Sequence, residues 1–216
     1  MKHLVIIGAR GFGREIYGLA RSTMAFKNGE MDIKGFLDDK TDALDGVAQP
    51  PEGFPPILSS VEAYQIQPDD VFFCALGEPK WRRHYAEAIL AKGGEFVSLI
   101  SPKAGVSPSA KIGIGCMIDY GALISTNVVV GDFTVIHAYS VIGHDTRIGS
   151  YNSIEAFCFL GGQVKTGDES FLHVRSSIIR QKHVGSRVSV GIGSVVMRNY
   201  GDDVHLFGNP AKKMEF

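Results

Sequence analysis

Starting at Ile100, every sixth residue is aliphatic: Ile100, Val106, Ile112, Ile118, Ile124, Val130, Ile136, Ile142, Ile148, Ile154, Leu160, then Leu172, Ile178, Val184, Val190 and Val196. Thr166 alone interrupts the series. Four residues after most of these positions stands a small side chain, such as Ala110, Cys116, Ala122, Thr134, Ser140, Thr146, Cys158, Ser170 or Ser176. The period fits neither a helix, at ~3.6 residues per turn, nor a simple alternating strand. It predicts a parallel β-helix, in which each hexad gives one short strand and one turn and three hexads close one coil of a triangular prism. At about 18 residues per coil, the series makes between five and six coils. Isoleucines stack in the narrow core, and small residues fill the corners where nothing larger fits.

Before Ile100 the pattern changes. His3 to Ile7 reads as a buried strand, followed by a glycine-rich turn and an amphipathic helix from Glu15 to Ala25. A second strand, Asp32 to Leu37, ends in Asp38 and Asp39, and a Pro- and Gly-rich loop runs from Asp45 to Pro56. Val71 to Leu76 reads as a third strand, Lys80 to Lys92 as a helix, and Val97 to Ile100 as a strand leading into the prism. Strands alternating with helices imply a small α/β domain with a parallel, Rossmann-like sheet. The expected division is residues 1–97, the α/β domain; 98–200, the β-helix; and 201–216, an irregular closing segment that holds Gly208, Asn209, Pro210, Ala211 and Lys212.

Composition narrows the function. The 216 residues are 44% hydrophobic, ordinary for a soluble globular protein, and no apolar run approaches the ~20 residues that span a bilayer. The first strand is too short to be a secretory signal. A formal net charge of -1 argues against nucleic acid as a partner. Cys74, Cys116 and Cys158 form an odd set without metal-ligand spacing, so buried free thiols and a reducing cytoplasm are expected.

Candidate chemistry gathers in two places. The turn "GARGFGRE" puts Gly8, Gly11 and Gly13 between a strand and a helix, where backbone N–H groups and the helix N-terminus can hold a phosphate. Its spacing is G-x-x-G-x-G, not the dinucleotide G-x-G-x-x-G. Asp38 and Asp39 end the next strand, where ligands of parallel sheets bind and an acid can take a ribose hydroxyl or a base N–H. Arg10 is placed to help with a diphosphate. Further on, His144 follows Gly143 in a turn and precedes Asp145, a carboxylate able to orient an imidazole. Residues 18 apart share a face in successive coils, so Asp119, His137, Glu155 and His173 form a vertical ladder. Tight zinc spacing is absent, which favours a hydrogen-bonded interfacial ladder over a metal site.

Together these residues resemble a known family. The layout is similar to the hexapeptide sugar O- and N-acetyltransferases, a group that takes in sialic acid O-acetyltransferase and the N-acetyltransferases of nucleotide-linked 4-amino sugars of the bacillosamine, perosamine and viosamine type. The likeness covers nearly the whole chain, through "VIIGARGFGRE", "GFLDD", "VIGHDTRIGS" and "GNPAK" in that order. It implies a left-handed β-helix, with His144 as general base and Asp145 tuning it. It implies a nucleotide site in the first domain, matching the glycine turn with Asp38 and Asp39. It also implies a homotrimer with acetyl-CoA in the groove between prisms, held mainly by backbone groups near Gly162, Val174 and Ile192. His137, commonly a small polar residue in the family, is placed to touch the acceptor sugar, and Ser153 stands where some members carry a second histidine.

The expected activity is direct transfer of acetyl from acetyl-CoA to the amino group of a nucleotide-linked sugar, without metal and without membrane or nucleic-acid partners. No acyl-enzyme is expected, because no cysteine is beside His144 in the sequence. Competing readings are an O-acetyltransferase of sialic acid or a related sugar, a zinc carbonic anhydrase-like prism, and a non-catalytic scaffold.

Overall fold

The computed structural model describes residues 1–214 and divides them into two compact units. The first comprises Met1–Gly77 with Trp81–Val97, and the second Glu78–Lys80 with the chain from Ser98 onward.

In the first unit, β1 (Lys2–Ile7), β2 (Met31–Leu37), β3 (Ile57–Ser59), β4 (Asp70–Cys74) and β5 (Glu95–Phe96) form one parallel sheet in the order β3-β2-β1-β4-β5. Leu4, Val5, Ile6, Phe36, Leu37, Phe72 and Phe73 are fully buried, as a sheet covered on both faces requires. The sheet order reverses beside β1, so the crevice where parallel sheets take ligands lies at the carboxyl ends of β1 and β4. The first helix begins four residues earlier than the expected Glu15 and ends before the expected Ala25. It splits into α1 (Gly11–Ser22) and α2 (Met24–Lys27), because Thr23 Oγ1 donates to the Ala20 carbonyl at 2.6 Å and accepts from Phe26 N at 3.4 Å, ending one helix and starting the next. α3 spans Pro79–Ala91. β3 follows the Pro- and Gly-rich loop, in a stretch to which the sequence pattern assigns no element, and it pairs only with the end of β2. Of the expected strand from Val97 to Ile100 only Leu99–Ile100 forms, in the prism, while β5 of this sheet ends just before it, at Phe96.

The second unit is a left-handed parallel β-helix of two-residue strands. One face stacks six of them, from Gly105–Val106 to Val195–Val196, and a second stacks five, from Lys111–Ile112 to His183–Val184. Each hexad strand ends on its aliphatic residue, except Lys165–Thr166, and Ile118, Ile136, Ile142, Ile154, Leu160, Leu172, Ile178, Val184, Val190 and Val196 are all fully buried. The small corner residues also supply hydrogen bonds. Thr134, Ser140, Thr146 and Ser170 each donate a hydroxyl to the carbonyl fifteen residues on, at 2.8, 2.8, 3.1 and 3.2 Å. Asn152 does the same with its amide, to Gly167 O at 2.9 Å. Those corners are thus closed both sterically and by hydrogen bonds, and no buried side-chain polar atom among the described residues lacks a partner.

At every sixth position from Asn127 to Arg187 the backbone adopts the left-handed region, with φ between 54° and 63° and no glycine. This conformation is costly for most side chains. At four of these positions stacking on the corresponding residue of the next coil offsets the cost: Phe133 on Tyr151 at 5.0 Å and Tyr139 on Phe157 at 5.3 Å. The closing segment is more regular than its sequence predicts. His205–Gly208 joins the third face beside Ser189–Val190 and turns back into the antiparallel strand Ala211–Lys213. Met214 is the last described residue, so Glu215 and Phe216 of the expected closing segment lie outside the described residues.

Candidate active site

His144 and Asp145 occupy a corner turn of the prism between the strands Val141–Ile142 and Arg147–Ile148. His144 Nδ1 lies 2.8 Å from Asp145 Oδ2, and Asp145 Oδ1 accepts from Asn127 Nδ2, one coil earlier, at 3.2 Å. The turn is fixed by backbone bonds to both neighbouring coils, Asp145 N to Thr126 O at 3.0 Å and Gln163 N to His144 O at 2.8 Å. The left-handed φ of 58° at Asp145 turns its carboxylate back toward the imidazole of the preceding residue. Two donors hold the Asp145 carboxyl below its ordinary range, His144 first and Asn127 second. An ionised carboxylate only accepts, so Nδ1 carries the proton and Nε2 presents a lone pair.

Nε2 faces Gly162. A Cβ built there would meet Nε2 at 2.6 Å, Cε1 at 2.8 Å and Cδ2 at 3.0 Å, so the ring packs against a residue that has to lack a side chain. Gly143 and Gly161 are constrained by backbone instead: a Cβ on Gly143 would be 2.5 Å from Gly162 N, and one on Gly161 2.5 Å from Arg180 N. The Gly162 N–H makes no hydrogen bond within the described residues, which leaves a free donor beside a base. The ring is also accessible, with 58% of the His144 side chain exposed.

In the first unit, the glycine turn joins β1 to α1. A Cβ on Gly13 would overlap the Gly8 carbonyl, and Gly8, at φ +95°, packs against Ala75 O. Arg10 is the N-cap of α1 and makes no side-chain cap, so the first turn presents its amides. Asp38 joins this turn, accepting from Ala9 N at 2.9 Å and from Lys40 N at 3.0 Å. Asp39 accepts instead from the Tyr85 hydroxyl of α3, at 2.9 Å. Sequence reasoning missed Tyr85, and it missed Arg82, a fully buried arginine that donates to Leu76 O at 2.7 Å and Gly77 O at 3.1 Å just beyond β4. Neither carried a motif, and a basic helical face normally reads as solvated.

The remaining candidates lie elsewhere on the prism. His137 is on the preceding corner of the same coil as His144, in the column of Asp119, Glu155 and His173, each of which follows a strand of the third face. Ladder residues bond their surroundings, Asp119 to Tyr120 N at 2.6 Å, Glu155 to Val174 N at 3.2 Å and His173 to Ser189 Oγ at 3.5 Å. No cluster of three or more His, Cys, Asp or Glu suited to a metal occurs among the described residues. Val174 and Ile192 belong to that same preceding corner, so of the three cofactor candidates only Gly162 adjoins His144 within one protomer. Val174 is already bonded through both N–H and carbonyl, and Ile192 is 61% exposed. Ser153 is buried, so it cannot take the place of a second histidine at an open site.

This fold and this corner define a hexapeptide-repeat β-helix with a histidine–carboxylate pair, the architecture of an acyltransferase. Residues 3–89 match the family model described as the PglD N-terminal domain, and residues 95–192 that described as the GMPPB C-terminal domain. The GDP-perosamine N-acetyltransferase of Escherichia coli O157:H7 is 26% identical over 97% of this chain and 95% of its own. Among solved structures, PerB from Caulobacter crescentus in complex with CoA and GDP-perosamine is 26% identical, covering 100% of this chain and 98% of that one with a TM-score of 0.87. The acetyltransferase domain of PglB from Neisseria gonorrhoeae FA1090, in complex with acetyl coenzyme A, is 29% identical over 99% of both chains, also with a TM-score of 0.87. The chain belongs to the hexapeptide-repeat acetyltransferases and is an enzyme of the acyltransferase class.

Proposed function

We propose that this protein transfers acetyl from acetyl-CoA to the amino group of a nucleotide-linked amino sugar, directly and with His144 as general base. The observation that carries the reading is the His144–Asp145 pair, with Nδ1 on the carboxylate and Nε2 turned toward Gly162. The sugar amine attacks the thioester carbonyl while Nε2 takes its proton, and Asp145 stabilises the imidazolium that forms. The Gly162 N–H is the donor for the tetrahedral oxyanion. Collapse of the intermediate expels the thiolate of CoA, which takes the proton back from His144, so the base is regenerated. All three thiols are buried and none adjoins His144 in sequence, in keeping with transfer without an acyl-enzyme.

Residues 1–97 serve as the nucleotide-binding domain, 98–200 as the acetyltransferase domain and 201–216 as its closing segment. Gly8, Gly11, Gly13 and Arg10 hold the diphosphate, and Asp39 takes the ribose or base. Asp38 contributes chiefly by shaping the turn, since both its oxygens are bonded to backbone N–H groups. The working form is a homotrimer in the cytoplasm, in which the neighbour's Val174, Ile192 and His137 corner faces the donor and acceptor. Two features support it: Val174 and Ile192 sit on a different corner from His144, and Tyr120, Tyr139, Phe157, Phe159 and Leu123 expose apolar surface on and beside that corner.

The test is an acceptor panel of UDP-, GDP- and dTDP-linked 4-amino sugars, free amino sugars and sialic acid, with acetyl-CoA and a readout of thiol release. Turnover of a nucleotide-linked amino sugar to a hydroxylamine-stable amide is expected. Turnover of sialic acid alone, to a hydroxylamine-labile ester, would replace this reading with that of an O-acetyltransferase.

A further inference from the structure

The corner residues in the left-handed region form three columns along the prism, each repeating once per coil. Two of the columns begin with stacked rings, Phe133 on Tyr151 and Tyr139 on Phe157. The third runs through Asn127, Asp145, Gln163 and Gln181, with an amide or a carboxylate at every level. Its members bond in pairs. Asn127 Nδ2 donates to Asp145 Oδ1 at 3.2 Å, and Gln181 Nε2 donates to Gln163 Oε1 at 2.8 Å. The column is thereby divided just beyond Asp145: the carboxylate is supported from the coil before it, while the Gln163 side chain is engaged with the coil after it.

This support bears on His144, because Asp145 is what holds the imidazole. The Asp145 carboxylate is half-exposed, so water competes for both of its oxygens. The torsion that turns a carboxylate about its bond to Cβ is soft, and the single bond from Oδ2 to His144 Nδ1 would leave the pair free to swing together. Asn127 removes that freedom by occupying Oδ1. Asp145 N also donates to Thr126 O at 3.0 Å, so its backbone and its side chain rest on two consecutive residues of the earlier coil. Asn127 is anchored in turn by its own N–H, bonded to Ser109 Oγ at 3.0 Å one coil further back. An ionised carboxylate only accepts, which settles that the amide nitrogen, and not its oxygen, faces Asp145. Tolerance of the left-handed region is the ordinary reason for an asparagine at such a corner. The corner does not demand one, since phenylalanine, tyrosine, glutamine and arginine all hold the same conformation elsewhere on the prism. The amide group itself is therefore the feature with a task.

We infer that Asn127 is a positioning residue for the transfer: its amide fixes the carboxylate that fixes the imidazole, so that Nε2 stays aimed at the space beside Gly162. The inference rests on the proposed role of His144 as base, and it extends the site to a chain of three side chains, Asn127, Asp145 and His144, drawn from two coils. Because Asn127 acts through Asp145 and not on a substrate, its contribution belongs to kcat and not to the KM of donor or acceptor.

The experiment is a double-mutant cycle on kcat between Asn127→Gly and Asp145→Gly, glycine being chosen because both residues have a left-handed φ, 57° and 58°, that would strain alanine. Asn127→Asp is measured beside it, a variant of native shape that suits the same backbone and puts an acceptor where the donor was. Each change at Asn127 should lower kcat by about 5- to 30-fold, less than Asp145→Gly does, with Tm near native and KM for acetyl-CoA and the acceptor sugar within about twofold. In the Asp145→Gly background, Asn127→Gly should cost less than about twofold, because the group through which it acts is gone. A kcat within about twofold of native in both Asn127 variants would overturn the inference. So would an equal fold loss with and without Asp145, which would mark Asn127 as a general support of the corner, or a loss expressed as a raised KM, which would set it against a substrate. Native kcat in His144→Ala or Asp145→Gly would instead remove the base assignment, and this inference with it.

Discussion

Gly162→Ala separates placement of the base from stability of the fold. Gly162 does not use the left-handed region, so alanine suits its backbone, but the new Cβ would stand 2.6 Å from His144 Nε2, where ordinary contact begins at 3.4 Å. The ring therefore has to retreat by about 0.8 Å, and a misplacement near 1 Å can cost on the order of 10²-fold in rate. Because the ring is 58% exposed it moves without strain, so the stability change should stay within about 0.5 kcal/mol. The control is Gly161→Ala, whose Cβ meets Arg180 N at 2.5 Å and Arg180 Cα at 2.9 Å, atoms fixed in the coil. Overpacking against backbone costs about 1–3 kcal/mol, and each kcal/mol lowers Tm by about 2–4 °C in a chain of this size. Steady-state thiol release with differential scanning fluorimetry on both variants gives the answer. Gly162→Ala should lose kcat by about 10- to 100-fold at near-native Tm. A kcat within about threefold of native, or a Tm loss equal to that of Gly161→Ala, would refute the assigned position of the imidazole.

Other outcomes follow from the same contacts. Asp145→Asn should lower kcat by less than His144→Ala does, because the base loses its carboxylate partner but stays in place. In the native protein Asp145 titrates below its usual range, so its contribution is present above that range and lost only as pH falls through the depressed value. Asp38→Ala should lower Tm as well as raise KM for the nucleotide sugar, since it unbonds Ala9 N and Lys40 N, whereas Asp39→Ala should raise KM with little change in Tm. Burial pushes the Cys74 thiol up to about 12, so native protein should resist thiol reagents until it unfolds; fast labelling of Cys74 in buffer would contradict its burial. Light scattering should give a trimer at micromolar concentration, and a monomer that remains fully active would remove Val174 and Ile192 from the site.

The prism could be read from the sequence because its core is one-dimensional. Each rung buries the same position against its copy eighteen residues away, so Ile118, Ile136 and Ile154 announce one another, and even buried Thr166 keeps the register by accepting from Gly149 N. The left-handed corner conformations of Phe133, Tyr139, Tyr151 and Phe157 carried no such signal, since their stability comes from stacking between coils and not from local propensity. β3 and the hairpin His205–Gly208 with Ala211–Lys213 were hidden for a related reason: each is held by tertiary pairing in a sequence rich in turn residues. At the candidate site, adjacency in sequence made the His144–Asp145 pair readable. The contact of His144 with Gly162 follows from the eighteen-residue period once the coil is known. Tyr85 on Asp39 joins elements 46 residues apart with no repeat to connect them, and was out of reach.

The central claim is that His144 is the base for acetyl transfer, and kcat of His144→Ala, measured beside its acetyl-CoA affinity by calorimetry, tests it most directly. Loss of a general base costs on the order of 10²- to 10⁴-fold in kcat. Donor affinity should stay close to native, because the proposed coenzyme contacts are mainly backbone groups. A folded His144→Ala protein that turns over within a few-fold of native would contradict the account, and His137 would become the base to examine.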